Sequence, residues 1–190
     1  EIQVAAVGDD RPKIDQYLIR STGSQRMLDM VDIIRQQDYH RVMVFANMKC
    51  TVRQLTERLQ KVCRSVDCLH GDMPQALRNK VMARFRKNEL EILVATDVAA
   101  RGIDVEDVEA VFNYDIPEEN EYYLHRIGRT GRAKRQGAAY TFFGDYDRPR
   151  LRDILKYTRS EATVMAFDQD RHLRPEAELQ AETDENAAAK

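Results

Sequence analysis

The sequence predicts an α/β domain built on a mostly parallel sheet, and three observations carry that prediction. Short, near-continuous apolar runs (RVMVFA at 41–46, EILVA at 91–95, AVFNY at 110–114) have the length and character of strands buried on both faces. Segments with apolar residues at helical spacing separate these runs, which is the alternation of βαβ units. The chain has 190 residues, 43% hydrophobic and 33% charged, so a single globular domain can bury a core without help from disulfides.

Taken in order, KIDQYLIR (13–20) reads as a lead-in strand. After Ser24 as N-cap, Met27, Met30, Val31 and Ile34 fall on one helix face. RVMVFA follows as a strand, and Val52, Leu55, Leu59 and Val62 mark the next helix. VDCLH is a short strand. It leads to a helix with Asp72 as N-cap, Pro74 in its first turn, and Leu77, Val81 and Phe85 on one face. EILVA and AVFNY are strands separated by a short loop-helix element. Pro117, Glu118 and Glu119 then open another helix, the acids suiting its positive end. AAYTFF, bracketed by Gly137 and Gly144, is the last strand, and Leu151, Ile154 and Leu155 belong to a closing helix.

Composition excludes several classes. No apolar run approaches the ~18 residues of a membrane span, and no secretory h-region follows Glu1, so a membrane partner is not expected. Cys50, Cys63 and Cys68 without a secretion signal fit a reducing, cytoplasmic compartment. Cys68 and His70 share a strand face with Cys63 nearby, yet the spacing matches none of the usual zinc signatures, and buried small side chains are the expectation. The chain starts at Glu1, as a piece of a longer protein would. Five acids (Glu176, Glu178, Glu182, Asp184, Glu185) against Lys190 put −4 on the last stretch, so the rest of a chain of net charge −2 carries +2. We divide the chain accordingly into a domain, 1–170, and an acidic, fraying tail, 171–190.

In open parallel sheets, ligands collect at the carboxyl ends of strands. Three successive strand ends here carry small, polar or basic residues: Asn47, Met48 and Lys49; Gly71 and Asp72; Thr96 and Asp97, leading into VAARGID. Asp97 and Asp104 flank Arg101-Gly102, which suits a sugar hydroxyl beside a phosphate. Equally open is a structural role, with Asp97 capping a helical turn and Asp104 pairing with Arg101. Gln75 and Arg78 share one face of a helix start, a placement that more often marks a solvated face than a site.

HRIGRTGR (125–132) concentrates three arginines without a carboxylate. At about 100° per residue, a step of three drifts by about 60°, so Arg126, Arg129 and Arg132 fall on one side. Gly128 and Gly131 disfavour a continuous helix by about 1 kcal/mol each relative to alanine and let a phosphate approach closely. Arginine's planar fork suits bidentate phosphate contact. Tyr122, Leu124 and Ile127 keep the stretch anchored. The chain has no G-x-x-x-x-G-K-[ST] loop and no acidic strand end of the D-E-x-D kind. It therefore holds residues that finish a phosphoryl-transfer site and none that start one.

ATDVAARGID (95–104) and HRIGRTGR resemble motifs V and VI of the DEAD-box RNA helicases, VMVFANMK resembles their motif IV, and HGDMPQALR the stretch bearing their Q-x-x-R. Order and spacing agree from about Ile14 to Thr158. DEAH-type and RecQ-type helicases begin the last motif with glutamine, so His125 favours the DEAD branch. The resemblance implies a RecA-like three-layer αβα fold, this being the C-terminal of two such domains, with ATP and single-stranded RNA bound across the cleft between them. It implies that Arg129 and Arg132 are arginine fingers to the γ-phosphate and that Asp104 contacts the ribose, with Gly102, His125 and Arg126 on the nucleotide side. His125 and Arg126 also link that side to the RNA. Thr96, Gly71, Gln75 and Arg78, together with Asn47 and Lys49, would line or support the RNA path, which Gly102 also borders. Mg²⁺ would be held mainly by the other domain. Family members usually carry a phosphate-contacting threonine where this chain has Met48, whose thioether cannot make that bond; Asn47, Lys49 and Thr51 are the polar neighbours.

Two further readings stand beside this one: a free-standing nucleic-acid or protein-binding module, and half of a DNA helicase. The missing phosphate loop generates a direct expectation. The purified chain turns over negligible ATP with or without RNA, and joining it to a phosphate-loop domain restores RNA-stimulated turnover. Steady-state phosphate release measures both.

Overall fold

The centre of the sheet is made by four-residue strands in which every residue is buried, so neither face meets water; the single polar residue among them, Asn113, spends its side-chain amide on Thr141. The structure is a computed structural model describing residues 13–131 and 136–190. Its elements are β1 (Lys13–Arg20), α1 (Gln25–Gln36), β2 (Val42–Phe45), α2 (Lys49–Gln60), β3 (Val66–Leu69), α3 (Gln75–Arg86), β4 (Ile92–Ala95) and α4 (Asp97–Ala100). They continue as β5 (Ala110–Asn113), α5 (Asn120–Ile127), β6 (Gln136–Phe143), a 3-10 turn (Asp145–Asp147), α6 (Arg148–Tyr157), β7 (Thr163–Phe167), β8 (Leu173–Pro175) and α7 (Glu176–Ala188).

The strands form one sheet in the order β3-β4-β2-β5-β6-β1-β7-β8. Neighbours are parallel throughout except β7 and β8. Side chains alternate between faces. Val42 and Val44 point into a core shared with α1 (Met27, Met30, Ile33, Ile34) and α2 (Val52, Leu55, Leu59). Met43 and Phe45 enter a core on the other face with α3 (Val81, Met82, Phe85) and α4. On that second face α5 and α6 pack against β1 and β6 through Tyr123, Ile127, Leu151 and Ile154. The result is the three-layer αβα arrangement expected. From β2 the chain runs outward to β3, returns to β4 and then crosses β2 to β5, so the switch in winding falls at the carboxyl ends of β4, β2 and β5.

Local details correct the sequence reading in three places. Helix α3 has Pro74, not Asp72, at its N-cap: the Pro74 carbonyl accepts the amides of Leu77 and Arg78, while Asp72 bonds Lys49 at 3.1 Å. Thr96, not Asp97, caps α4 by accepting the Ala99 amide at 3.2 Å. Val62, which the spacing assigns to the second helix, lies beyond the end of α2, and both it and Leu77, on the apolar face of α3 by spacing, are exposed.

The largest difference lies at the C-terminal end. TVMAF forms β7 beside β1, and the tail expected to fray continues the sheet as β8 and then forms α7. Residue 171, where the sequence reading began its tail, sits in the β7–β8 turn. Its guanidinium donates to Asp29 (2.8 Å) and Asp32 (2.7 Å) on α1 and lies 4.0 Å from the Phe167 ring centroid. Arg174 pairs with Glu178 and Glu182, tying α7 to the strand before it. Apolar content is a poor guide here because long-range ion pairs supply the tether. Among the described residues, no helix is long and apolar enough to cross a membrane.

At the amino end of the sheet, His40 lies between Asp38 (3.0 Å) and Glu91 (3.2 Å). The Glu91 hydrogen bond, reinforced by the charge of Asp38, raises its pKa above 6.5. A raised folded-state pKa means the contribution to stability is full below about 6.5 and is lost as pH rises through the folded value. Melting of wild type and His40→Gln between about pH 5 and about pH 8 should therefore converge toward the alkaline end, with the wild type relatively more stable at the acid end.

Candidate functional site at the carboxyl ends of the strands

The site is organised by one buried side chain. Arg126, on the last turn of α5, is 1% exposed. Its Nε and Nη2 donate to the two carboxylate oxygens of Asp97 at 2.7 Å each, a bidentate pair. Nη2 also donates to Asn47 Oδ1 (2.6 Å) and Nη1 to the Asp115 carbonyl (2.8 Å), while the guanidinium carbon lies 5.5 Å from the Phe45 ring centroid. Asp97, Asn47 and Asp115 follow β4, β2 and β5, so one arginine gathers the three strand ends at the switch in winding. Asn47 is fully engaged as well. Its backbone amide donates to Asp115 Oδ2 (3.0 Å) and its side-chain amide to the Ile116 carbonyl (2.9 Å).

Arg129 follows at the start of the next loop and reaches the segment after β4. It donates to the carbonyls of Ala100 (3.1 Å), Ile103 (2.6 Å) and Val105 (3.4 Å). These bonds brace the loop carrying Gly102 and Asp104. Gly102 has φ +78°, a left-handed conformation that a side chain would strain. Asp104 is exposed; Arg101, its alternative partner from the sequence, instead donates to the Tyr122 hydroxyl (3.1 Å) and sits over that ring. His125 is exposed on the outer side of α5. Arg132 lies outside the described residues.

A shallow cavity of about 100 Å³ is bounded by Asp97, Gly102, Tyr122, His125, Arg126 and Arg129. Ligand pockets usually measure about 300–1,000 Å³, so this one is too small to enclose a whole nucleotide. The chemistry fits that partial role: arginine and histidine at the rim, a glycine loop, and a carboxylate within the same loop.

The remaining residues named from the sequence lie on the adjacent strand ends. Thr96 is buried and spends its hydroxyl on the α4 cap. Lys49 bonds Asp72, holding that carboxyl below the usual range. Burial lowers the pKa of His70 beside it. Gln75 donates to Asn79 (2.9 Å), and Arg78 reaches the Ala99 carbonyl (3.2 Å), joining α3 to α4. Gly71 is exposed with open space where a side chain would begin. Met48 is 58% exposed between Asn47 and Lys49. Asp115 escaped the sequence reading, although the strand-end rule applied to AVFNY reaches it.

The helicase conserved C-terminal domain family matches residues 25–134. The chain belongs to that family, as a C-terminal domain of the DEAD-box type. Among curated relatives, the ATP-dependent RNA helicase CshA of Limosilactobacillus reuteri is 42% identical over 146 residues, covering 77% of this chain and 29% of that protein. The ATP-dependent RNA helicase DbpA of Bacillus subtilis is 35% identical over 190 residues, all of this chain and 40% of that protein. Among solved structures, the E. coli DEAD-box protein SrmB bound to the regulator RraA superposes with a TM-score of 0.76 at 34% identity, covering 85% of this chain and 95% of that one. The helicase domain thus spans well under half the length of these curated relatives.

The buried arginine sets the expected cost of disrupting the site. Removing one partner of a buried pair strands the other charge, at about 3–5 kcal/mol. Arg126→Ala and Asp97→Ala should each destabilise the domain by about that much, and the double variant by much less than the sum, as read by denaturant unfolding.

Proposed function

We propose that this domain is one wall of an ATP- and RNA-binding cleft whose other wall is an N-terminal RecA-like domain of the same protein, the pair forming an ATP-dependent RNA helicase. The observation that carries this reading is the gathering of the β2, β4 and β5 ends around Arg126, with Arg129 and His125 on the same edge. The named relatives support it, as does the small size of the cavity.

In this reading Arg129 supplies positive charge to the phosphoryl group in transit once the cleft closes. Its guanidinium is held by loop carbonyls, so little reorganisation accompanies closure. Arg132 is proposed as the second finger. Asp104 meets the ribose, with Gly102 keeping that loop close and His125 linking the nucleotide to the RNA side. Arg126 works from beneath, holding the strand ends in place. ATP brings Mg²⁺, which the other domain mainly holds. RNA runs past Gly71, Gln75, Arg78, Thr96 and Lys49, and Asn47 presents that edge. With Met48 in place of a hydroxyl, phosphate contact there falls to Lys49 and neighbouring amides. Closure bends one strand and unpairs a short duplex, and hydrolysis reopens the cleft. We place the protein in the cytoplasm, on the strength of three free thiols among the described residues. Further protein partners are compatible with the exposed helices.

In the two-domain protein, Arg129→Ala should lower RNA-stimulated ATP hydrolysis by about 10³–10⁵-fold, equivalent to about 4–7 kcal/mol of barrier, while RNA affinity stays within about threefold. Unchanged hydrolysis removes the finger role. Equal stimulation by RNA and by DNA of the same sequence points to the DNA-helicase alternative, because the 2′-hydroxyl separates the two.

A further inference from the structure

The helices flanking the outermost strand, β3, carry an uneven charge. Residues 49–87 contain ten lysines and arginines and three acids, a net +7 within a chain of net −2. Two of the acids are already spent: Asp72 on Lys49 and Asp67 on Arg84. The third is Glu57.

These cations are arranged along β3 and not scattered. Arg53 is exposed one turn after Lys49 on α2, and Lys49 bonds Asp72 just beyond the carboxyl end of the strand. Arg84 on α3 reaches Asp67 midway along it (3.1 Å). Lys80 lies one turn before Arg84 on the same helix face. Lys61 and Arg64 follow in the connection from α2 to the amino end of β3. All five are exposed. Surfaces built only for solubility intersperse both signs, whereas this flank is nearly of one sign.

An edge strand is ordinarily open to strand addition, but β3 is partly blocked against it by its own side chains and that of Gln60. Gln60 Nε2 donates to the Val66 carbonyl (2.9 Å), and Asp67 Oδ1 accepts the Cys68 amide (2.8 Å). A partner on this side meets side-chain charge and a ladder that is partly occupied. At its carboxyl end the flank is continuous with Lys49, Gln75 and Arg78.

We propose that this flank is a second RNA-contacting surface, a track for the phosphates of an RNA that extends beyond the strand-end site. It rests on the RNA reading above and adds a direction: the strand leaves the cleft over β3, between α2 and α3. Polyanion binding of this kind is sequence-independent and salt-dependent.

The test uses the two-domain protein and single-stranded RNAs of about 4 and about 16 nucleotides, the range covered by one single-strand-binding module. Affinity is read by fluorescence anisotropy across a salt series, with thermal melts verifying folding. Arg53→Glu/Lys80→Glu is compared with Arg152→Glu/Lys156→Glu, an equal charge change on exposed positions of α6. The flank pair should lose about tenfold or more on the long RNA and about twofold or less on the short one. Its salt slope on the long RNA should fall by about 1.4, and the α6 pair should change little. Equal losses on both lengths, equal losses in both pairs, or no loss on the long RNA overturns the flank and leaves the RNA reading standing. Wild type that binds neither RNA overturns both.

Discussion

Everything at the ligand-facing edge depends on keeping Arg126 buried and paired. A guanidinium removed from water is costly unless its donors are satisfied and a counter-charge lies close. Here Asp97 supplies the charge in bidentate geometry, and Asn47 and the Asp115 carbonyl take further donors. Such a pair adds little net stability against a hydrophobic replacement. Its value is geometric: only one placement of α5 satisfies three strand ends at once, so the helix that carries His125 and leads to Arg129 is held in register with the loops it works beside.

A second polar contact steadies the same helix from the sheet. The Tyr123 hydroxyl donates to Gln16 Oε1 (2.5 Å) on β1, and Asn113 donates to Thr141 (3.0 Å) between β5 and β6. Burial pushes the Tyr123 phenol upward, keeping it a neutral donor. Among the described residues the network is incomplete, with Gln16 Nε2 and Asn113 Oδ1 lacking partners. Each such atom costs about 1–3 kcal/mol. That cost is borne beneath α5, where position matters more than maximal stability.

Much of the fold was legible in the sequence because burial on both faces leaves an unambiguous pattern. VMVF, ILVA and AVFN admit few other interpretations, and the intervening helices show their apolar faces directly. Legibility failed where structure depends on contacts remote in sequence. Strand β7 and hairpin partner β8 are half-buried at the edge of the sheet, and α7 has no buried residue. What orders them is Arg171 reaching α1 across more than a hundred residues and Arg174 reaching α7.

For the site, the sequence by itself determined the inventory: arginines without local counter-charge, a glycine loop with its carboxylate, polar residues after consecutive strands, and no phosphate loop. It also pointed to a ligand shared with another domain. Only the tertiary structure decided how the arginines divide. Arg126 and Arg129 stand three residues apart in a motif where they look equivalent, yet one is enclosed against Asp97 and the other grips loop carbonyls at the rim. Periodicity places both on one side of the helix, but which of them meets a buried carboxylate depends on where β4 ends relative to α5. That relation is set by strand order and packing, and no local pattern encodes it.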